Sequence, residues 1–298
     1  MKKFAGTFHQ NAGGEWVACM TEGGRPCSRR AGGGHIRGAT LEDALTAYYA
    51  DIFTGGCHEG MDAADYIHIV DADISVHDVA RMAFPEVGRG DDDSGLSRAA
   101  DEAWNGMDDG QRDAVLEYTD HMFEPVSRYL TQSDERPDAA MDRYIHTLHT
   151  ALDSCSTDDD MVVYRRRFGS RDHERERDPE ELLMYDAVGH GDGTVVKTNF
   201  NSTTTRPDAI GVGAVGGNAK CNDTAYVIKV PKGTPGMYVN DYSYHRDEYE
   251  FLMDRGMRYR VVGIYERGVL DDDGDGHESW DVPPIIALEV VPPSGTVE

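Results

Sequence analysis

The chain has 298 residues, enough to bury a sizeable core in one or two domains. Its 55 acidic residues against 29 Lys and Arg leave a net charge of -26, a field that repels phosphate backbones and argues against nucleic acid as a partner. No apolar run approaches the roughly 20 residues of a membrane helix, so no membrane association is expected.

The opening "MKKFAGTFHQNAGGEW" has two lysines but no apolar stretch behind them, which predicts a cytoplasmic protein or one delivered into a target cell without a cleavable signal. Lysine stands only at 2, 3, 197, 220, 229 and 232, so arginine dominates the basic set. The acidic excess reads as a solvated surface from a high-GC or salt-adapted source. Five cysteines at 19, 27, 57, 155 and 221 show no C-x-x-C pair and no disulfide framework, which predicts reduced thiols and no structural zinc.

In chain order, residues 1–84 read as a small α+β unit of unknown role. "GRPCSRRAGGGHIRG" reads as a loop. Thr40-x-x-Asp43 resembles a capping box, and Leu41, Leu45, Tyr48, Tyr49 and Ile52 follow at helical spacing. "DYIHIV" reads as a strand, and Ser75 caps a helix running to Phe84. His58, His68 and His77 have no repeating metal spacing and read as packing or surface residues. "PEVGRGDDDSG" cannot bury apolar surface and marks a linker, giving the division 1–84, linker 85–97 and a second domain 98–298.

Residues 96–160 carry helical periodicity. Val115, Tyr118, Thr119, Met122, Val126 and Tyr129 form one stripe, with Pro125 a kink or boundary; Met141, Tyr144, Ile145, Leu148 and Leu152 form another. His146 and His149 lie one turn apart, but no further ligand accompanies them, so they read as solvated. Beyond "STDDD" the pattern changes to β-rich runs: "MVVYRRRF", "TVVKTNFNSTTT", "TAYVIKVP", "YRVVGIYE" and "PPIIALEVV". Helices followed by strands predict an α+β domain.

Three short elements in the β half carry chemistry. Tyr164-Arg165 closes an apolar strand, and a fixed guanidinium is a forked donor suited to phosphate. Phe200-Asn201-Ser202-Thr203-Thr204 ends a strand in consecutive hydroxyls that can hold ribose hydroxyls or orient a carboxylate. Glu248-Tyr249-Glu250 sets two carboxylates on one side of an extended chain: one acid can stabilise a developing cation while the other handles a nucleophile. "DDDGDGHES" offers Asp271, Asp273, Asp275 and Ser279 at calcium-loop positions, but Val282 stands where a bidentate Glu is needed. Lying between two strand-like runs, it reads as a hairpin turn.

In this order the three elements resemble the arginine, S-T-S and E-x-E motifs of the arginine–serine–glutamate class of mono-ADP-ribosyltransferases. That class includes actin-modifying binary toxins, Rho-modifying clostridial exoenzymes, arginine-specific ectoenzymes and phage transferases. "AVLEYTDHMFEPVSRYL" and "MDRYIHTLHTAL" resemble its leading helices, "YVIKVPKGTPGMYV" its strand and P-x-G turn, and "EYEFLMDRGMRYRVVG" its E-x-E strand. The likeness covers roughly residues 98–298. Thr204 departs from the usual serine but keeps a hydroxyl, and residues 1–84 have no counterpart.

The resemblance implies an ADP-ribosyltransferase-like split β-sandwich with leading helices, NAD as substrate, nicotinamide release and no required metal. It implies that Arg165, with Tyr164 beside it, grips the NAD phosphates. Ser202 would orient Glu250 and shape the nicotinamide-ribose pocket together with Phe200, Thr203 and Thr204. Glu250 would stabilise the oxocarbenium-like cation, and Glu248 would engage the nucleophile. Tyr242 and Tyr244 would recognise a protein acceptor, and E-x-E rather than Q-x-E points to arginine on that protein. The residues leave open an NAD glycohydrolase and a non-catalytic interaction or virion protein on the same scaffold.

Overall fold

The computed structural model describes residues 4–10, 16–22, 25–26, 35–38, 66–71, 74–87, 93–131, 137–167, 183–185, 187–188, 193–207, 224–270 and 278–291. At the start, β1 (Phe4–Gln10) and β2 (Trp16–Glu22) pair antiparallel, and β3 (Arg25–Pro26) and β4 (His35–Gly38) both add to β2. The stretch read as a glycine-rich loop therefore supplies two short strands. Edge pairing to β2 overrides its weak strand propensity. The helix expected from Thr40 lies outside the described residues.

"DYIHIV" does form a strand, β5 (Ile67–Asp71), but its partner comes from the far end of the chain: it pairs parallel with β12 (Arg258–Leu270), Ile67 opposite Ile264. The following helix α1 (Val76–Ala83) starts at a capping box. The Ser75 hydroxyl accepts the Asp78 N–H at 3.1 Å, and the Asp78 carboxylate accepts the Ser75 N–H at 3.3 Å. Val76, Val79, Ala80 and Phe84 then bury against Tyr164, Val227, Tyr265 and Ile285 of the large sheet. The sequence boundary after residue 84 thus cuts through one packed layer.

The helical region begins with α2 (Ser94–Gly106), at the tail of the expected linker, and α3 (Asp109–Glu117), whose Asp108–Gln111 capping box has bonds of 2.8 and 3.0 Å. A single π turn, Tyr118–Met122, leads into α4 (Phe123–Thr131). Pro125 has no N–H for the His121 carbonyl, and widening the preceding turn absorbs that defect. After α5 (Ala139–Asp153), capped by Asp138, the expected stripes are the buried ones: Val115, Tyr118, Val126, Ile145, Leu148 and Leu152.

Among the described residues the large sheet has nine strands, adding β6 (Met161–Arg167), β7 (Thr194–Val196), β8 (Asn201–Thr204), β9 (Thr224–Val230), β10 (Gly236–Tyr238), β11 (Glu250–Met253) and β13 (Glu278–Val291). Its order is β10-β11-β8-β6-β9-β13-β12-β5, with β7 also on β12. The leaf β10-β11-β8 joins the rest through one bridge between β8 and β6, Tyr164 opposite Thr204. β9 is buried along its length except at Lys229, because α1 covers one face and the helical layer the other. β12 and β13 pair antiparallel down to Leu270 opposite Glu278, as a hairpin requires; the acidic loop weighed against a calcium site lies outside the described residues. At the start of β10, a Cβ on Gly236 would stand 2.9 Å from the Leu252 carbonyl oxygen, so only glycine lets β10 approach β11 this closely.

Candidate active site

The sheet order puts β11, β8 and β6 side by side, so the E-x-E, S-T-S and arginine motifs meet although 85 residues separate the first from the last of them in sequence, Arg165 to Glu250. Glu250 opens β11 opposite Thr204, with Ser202 one diagonal step away on the same pairing. It is 5% exposed. Burial raises its pKa from 4.5 to about 7; the hydrogen bond donated by the Ser202 hydroxyl pulls it down, neighbouring Glu248 pushes it up, and His245 pulls it down. Ser202 is the one exposed residue of β8.

The two glutamates do not lie along one extended strand. Arg246–Glu248 is a single 3-10 turn, and Tyr249 has the left-handed conformation φ 50°, ψ 45°. The Tyr249 N–H donates to the Asn240 side-chain oxygen at 3.0 Å, and its carbonyl accepts the Thr205 N–H at 3.0 Å. These two bonds hold a conformation that a bulky residue otherwise avoids. Glu248 therefore stands in the turn ahead of the strand, exposed to solvent, yet close enough to Glu250 to raise its pKa.

Arg165 lies on β6 opposite Tyr226 of β9. The buried Tyr118 phenol, in the π turn, is within electrostatic reach of both Arg165 and Glu250. Burial pushes its pKa up, Arg165 pulls it down and Glu250 pushes it up. In sequence Tyr118 reads only as one residue of a helical stripe. Its proximity to the two charged groups is a tertiary feature, and π turns concentrate at functional sites.

The remaining expected cofactor residues act behind this surface. Phe200 is buried and meets the Tyr118 ring edge-on, with centroids 5.5 Å apart. Tyr164 is buried in the layer under α1 and lines a cleft of about 900 Å³ bounded by Phe84, Leu96, Arg206 and Tyr238. The Thr203 hydroxyl donates to the Phe251 carbonyl at 2.7 Å, and the Thr204 hydroxyl accepts the Arg206 N–H at 3.2 Å. Of the two loop tyrosines, Tyr242 stacks on Trp104 of α2 at 4.1 Å and bonds Asp101, whereas Tyr244 is 71% exposed.

His149 is not merely solvated: its Nδ1 stands 2.7 Å from Oδ2 of buried Asp254, just beyond β11. Burial raises the Asp254 pKa, while the Arg255 N–H and His149 lower it. His149→Ala should cost about 1–3 kcal/mol in denaturant unfolding, because the carboxyl would lose its side-chain partner. Among the described residues no cluster of His, Cys, Asp or Glu is arranged to hold a metal ion. Of the described helices, none is long and apolar enough to cross a membrane.

The model of the ADP-ribosyltransferase exoenzyme family matches residues 97–278. No curated protein matches the chain in sequence. Among solved structures, it is similar to Plx2a, an ADP-ribosyltransferase toxin from Paenibacillus larvae, at 16% identity and TM-score 0.48, over 66% of this chain and 92% of that one. It is also similar to the enzymatic component C2-I of the C2 toxin from Clostridium botulinum, at 13% identity and TM-score 0.49, over 67% of this chain and 48% of that one. A third is C3stau2 from S. aureus, solved with NAD, at 17% identity and TM-score 0.45, over 69% of this chain and 99% of that one. With more than half its length matched by that family model, the chain belongs to the ADP-ribosyltransferase exoenzyme family and is an NAD-dependent ADP-ribosyltransferase.

Proposed function

We propose that the enzyme transfers a single ADP-ribose from NAD to an arginine side chain of a protein, with Glu250, Glu248, Ser202 and Arg165 as the working residues. One observation carries this reading: a buried carboxyl, Glu250, hydrogen-bonded by Ser202, lies beside an exposed carboxylate, Glu248. Breaking the bond between ribose C1′ and the nicotinamide nitrogen sends the electron pair to nicotinamide and leaves positive charge on the ribose. A carboxylate fixed where water is scarce stabilises that charge most. Arg165 binds the diphosphate through charge-assisted hydrogen bonds.

Glu248, in the turn at the surface, meets the acceptor. A guanidinium is fully protonated near neutral pH, so one of its nitrogens attacks C1′ only as its proton leaves, and Glu248 takes that proton. Exposed Tyr244 stacks on the incoming guanidinium, and Tyr242, held by Trp104, fixes the loop. Phe200, Thr203 and Thr204 hold β8 in place beneath the nicotinamide ribose, and Tyr164 supports the strand that carries Arg165.

The test is incubation with labelled NAD and a bacterial or host lysate, followed by mass spectrometry of the labelled protein. ADP-ribose on arginine is the expected result. Label on another residue type overturns the arginine assignment, and nicotinamide release with no labelled protein points to hydrolysis alone.

A further inference from the structure

We propose that Arg206 is a positioning residue that sets the relation of the Glu248 and Glu250 carboxylates by bracing Tyr249 between them. The inference rests on the roles given above to those two glutamates. Arg206 follows β8 in the chain, and its guanidinium carbon sits 4.1 Å from the centroid of the Tyr249 ring. Asp93, at the start of α2, holds the other side of the fork: its Oδ2 is 3.3 Å from Nη2 and 3.4 Å from Nε of Arg206. The same oxygen accepts the Tyr238 hydroxyl at 3.2 Å, which ties Asp93 to β10. The Arg206 backbone is itself fixed, since its N–H donates to the Thr204 hydroxyl.

An exposed Arg–Asp pair alone contributes little. Here the guanidinium is planar, anchored at its edge by Asp93 and laid with its face on an aromatic ring, a combination that lysine cannot reproduce. The ring it covers belongs to the residue whose left-handed backbone redirects the chain between the two glutamates. Asn240 and Thr205 fix the Tyr249 peptide, and Arg206 fixes its side chain. If the ring is released, the peptide can relax toward ordinary strand geometry. That would move Glu248 relative to Glu250, and the catalytic consequence is loss of alignment rather than loss of a contact to NAD.

The experiment compares Arg206→Ala, Tyr249→Ala, the double variant, Tyr249→Phe and Asp93→Asn in nicotinamide release from NAD, with thermal unfolding in parallel. Arg206→Ala is expected to lower kcat about 10- to 100-fold. KM for NAD and the midpoint of unfolding should stay close to those of the parent enzyme. The double variant should be no slower than Tyr249→Ala, because both act through one ring. Tyr249→Phe should keep full activity, and Asp93→Asn should lose part of it. The acid limb of kcat/KM should also move in Arg206→Ala, as the push of Glu248 on Glu250 changes with their separation; a merely structural role would leave that limb in place. A parental kcat in Arg206→Ala, or additive losses in the double variant, overturns the proposal. Glu250→Gln separates the two levels of inference: if it is inactive while Arg206→Ala is fully active, only the role of Arg206 falls, and if it is fully active, the assignment of the site falls with it.

Discussion

Glu250→Gln is expected to lower nicotinamide release from NAD by about 10²–10³-fold, the usual scale for removing a preorganised group that meets transition-state charge. The glutamine fills the same space and can still bond Ser202, so KM for NAD should change little. What is lost is the negative charge opposite the ribosyl cation. The same group should set the pH dependence. With its pKa raised to about 7, Glu250 is protonated in much of the acid range. The parent's kcat/KM is therefore expected to fall about tenfold per pH unit below that value and to level off above it. A profile flat from pH 5 to 9 would contradict the role of Glu250 as the ionised group.

Stability should move the opposite way to activity. The folded pKa of Glu250 lies above its ordinary 4.5, so between these values the folded state holds a proton that the unfolded chain has released. Stability then declines as pH rises through that window, and the full penalty is present above about 7. Glu250→Gln removes it, so the variant should be more stable than the parent at pH 8 by on the order of 3 kcal/mol, and equal to it near pH 4. An active-site carboxylate buried at a cost in stability is a common trade between stability and activity. A variant less stable than the parent at pH 8 would argue that Glu250 is a structural anchor.

Glu248→Gln is expected to separate transfer from hydrolysis. Labelling of the protein acceptor should fall by about 10²-fold or more, the scale of losing a general base. Nicotinamide release to water should fall much less, because water needs less activation than a guanidinium that must give up a proton. Glu248 is exposed, so the substitution should leave the unfolding midpoint unchanged. Equal losses in labelling and hydrolysis would mean that Glu248 acts on the ribosyl cation itself rather than on the acceptor.

Most of the secondary structure was legible because local rules decide it. Ser75 announced α1, and the stripes through Val115 and Leu148 announced the buried faces of α3 and α5. The β runs after residue 160 appeared as strands, and β12 and β13 pair antiparallel, as the expected hairpin has them. The errors share one origin. β5 looked like part of a separate unit because its partner, β12, stands nearly 200 residues later, and pairing over that distance leaves no trace in a local pattern. His149 looked solvated because Asp254 is 105 residues away. The E-x-E segment looked extended because alternation assumes β geometry, and nothing in "DEYE" reveals that Asn240 and Thr205 hold Tyr249 in the left-handed region.

The sequence by itself determined which chemistry is present: an arginine at a strand end, a run of hydroxyls, and two carboxylates flanking a tyrosine, in an order that a known class of enzymes shares. Residue type and order suffice for that, since charge and hydrogen-bonding capacity belong to the side chain. Only the tertiary structure decided how the groups differ. It buried one glutamate and exposed the other, and it brought Tyr118 within electrostatic reach of both Glu250 and Arg165. It also set Arg206 on Tyr249, with Asp93 behind it. Burial and distance arise from contacts between segments remote in the chain, and they fix pKa and alignment, which is why two glutamates alike in sequence are not alike in the folded protein.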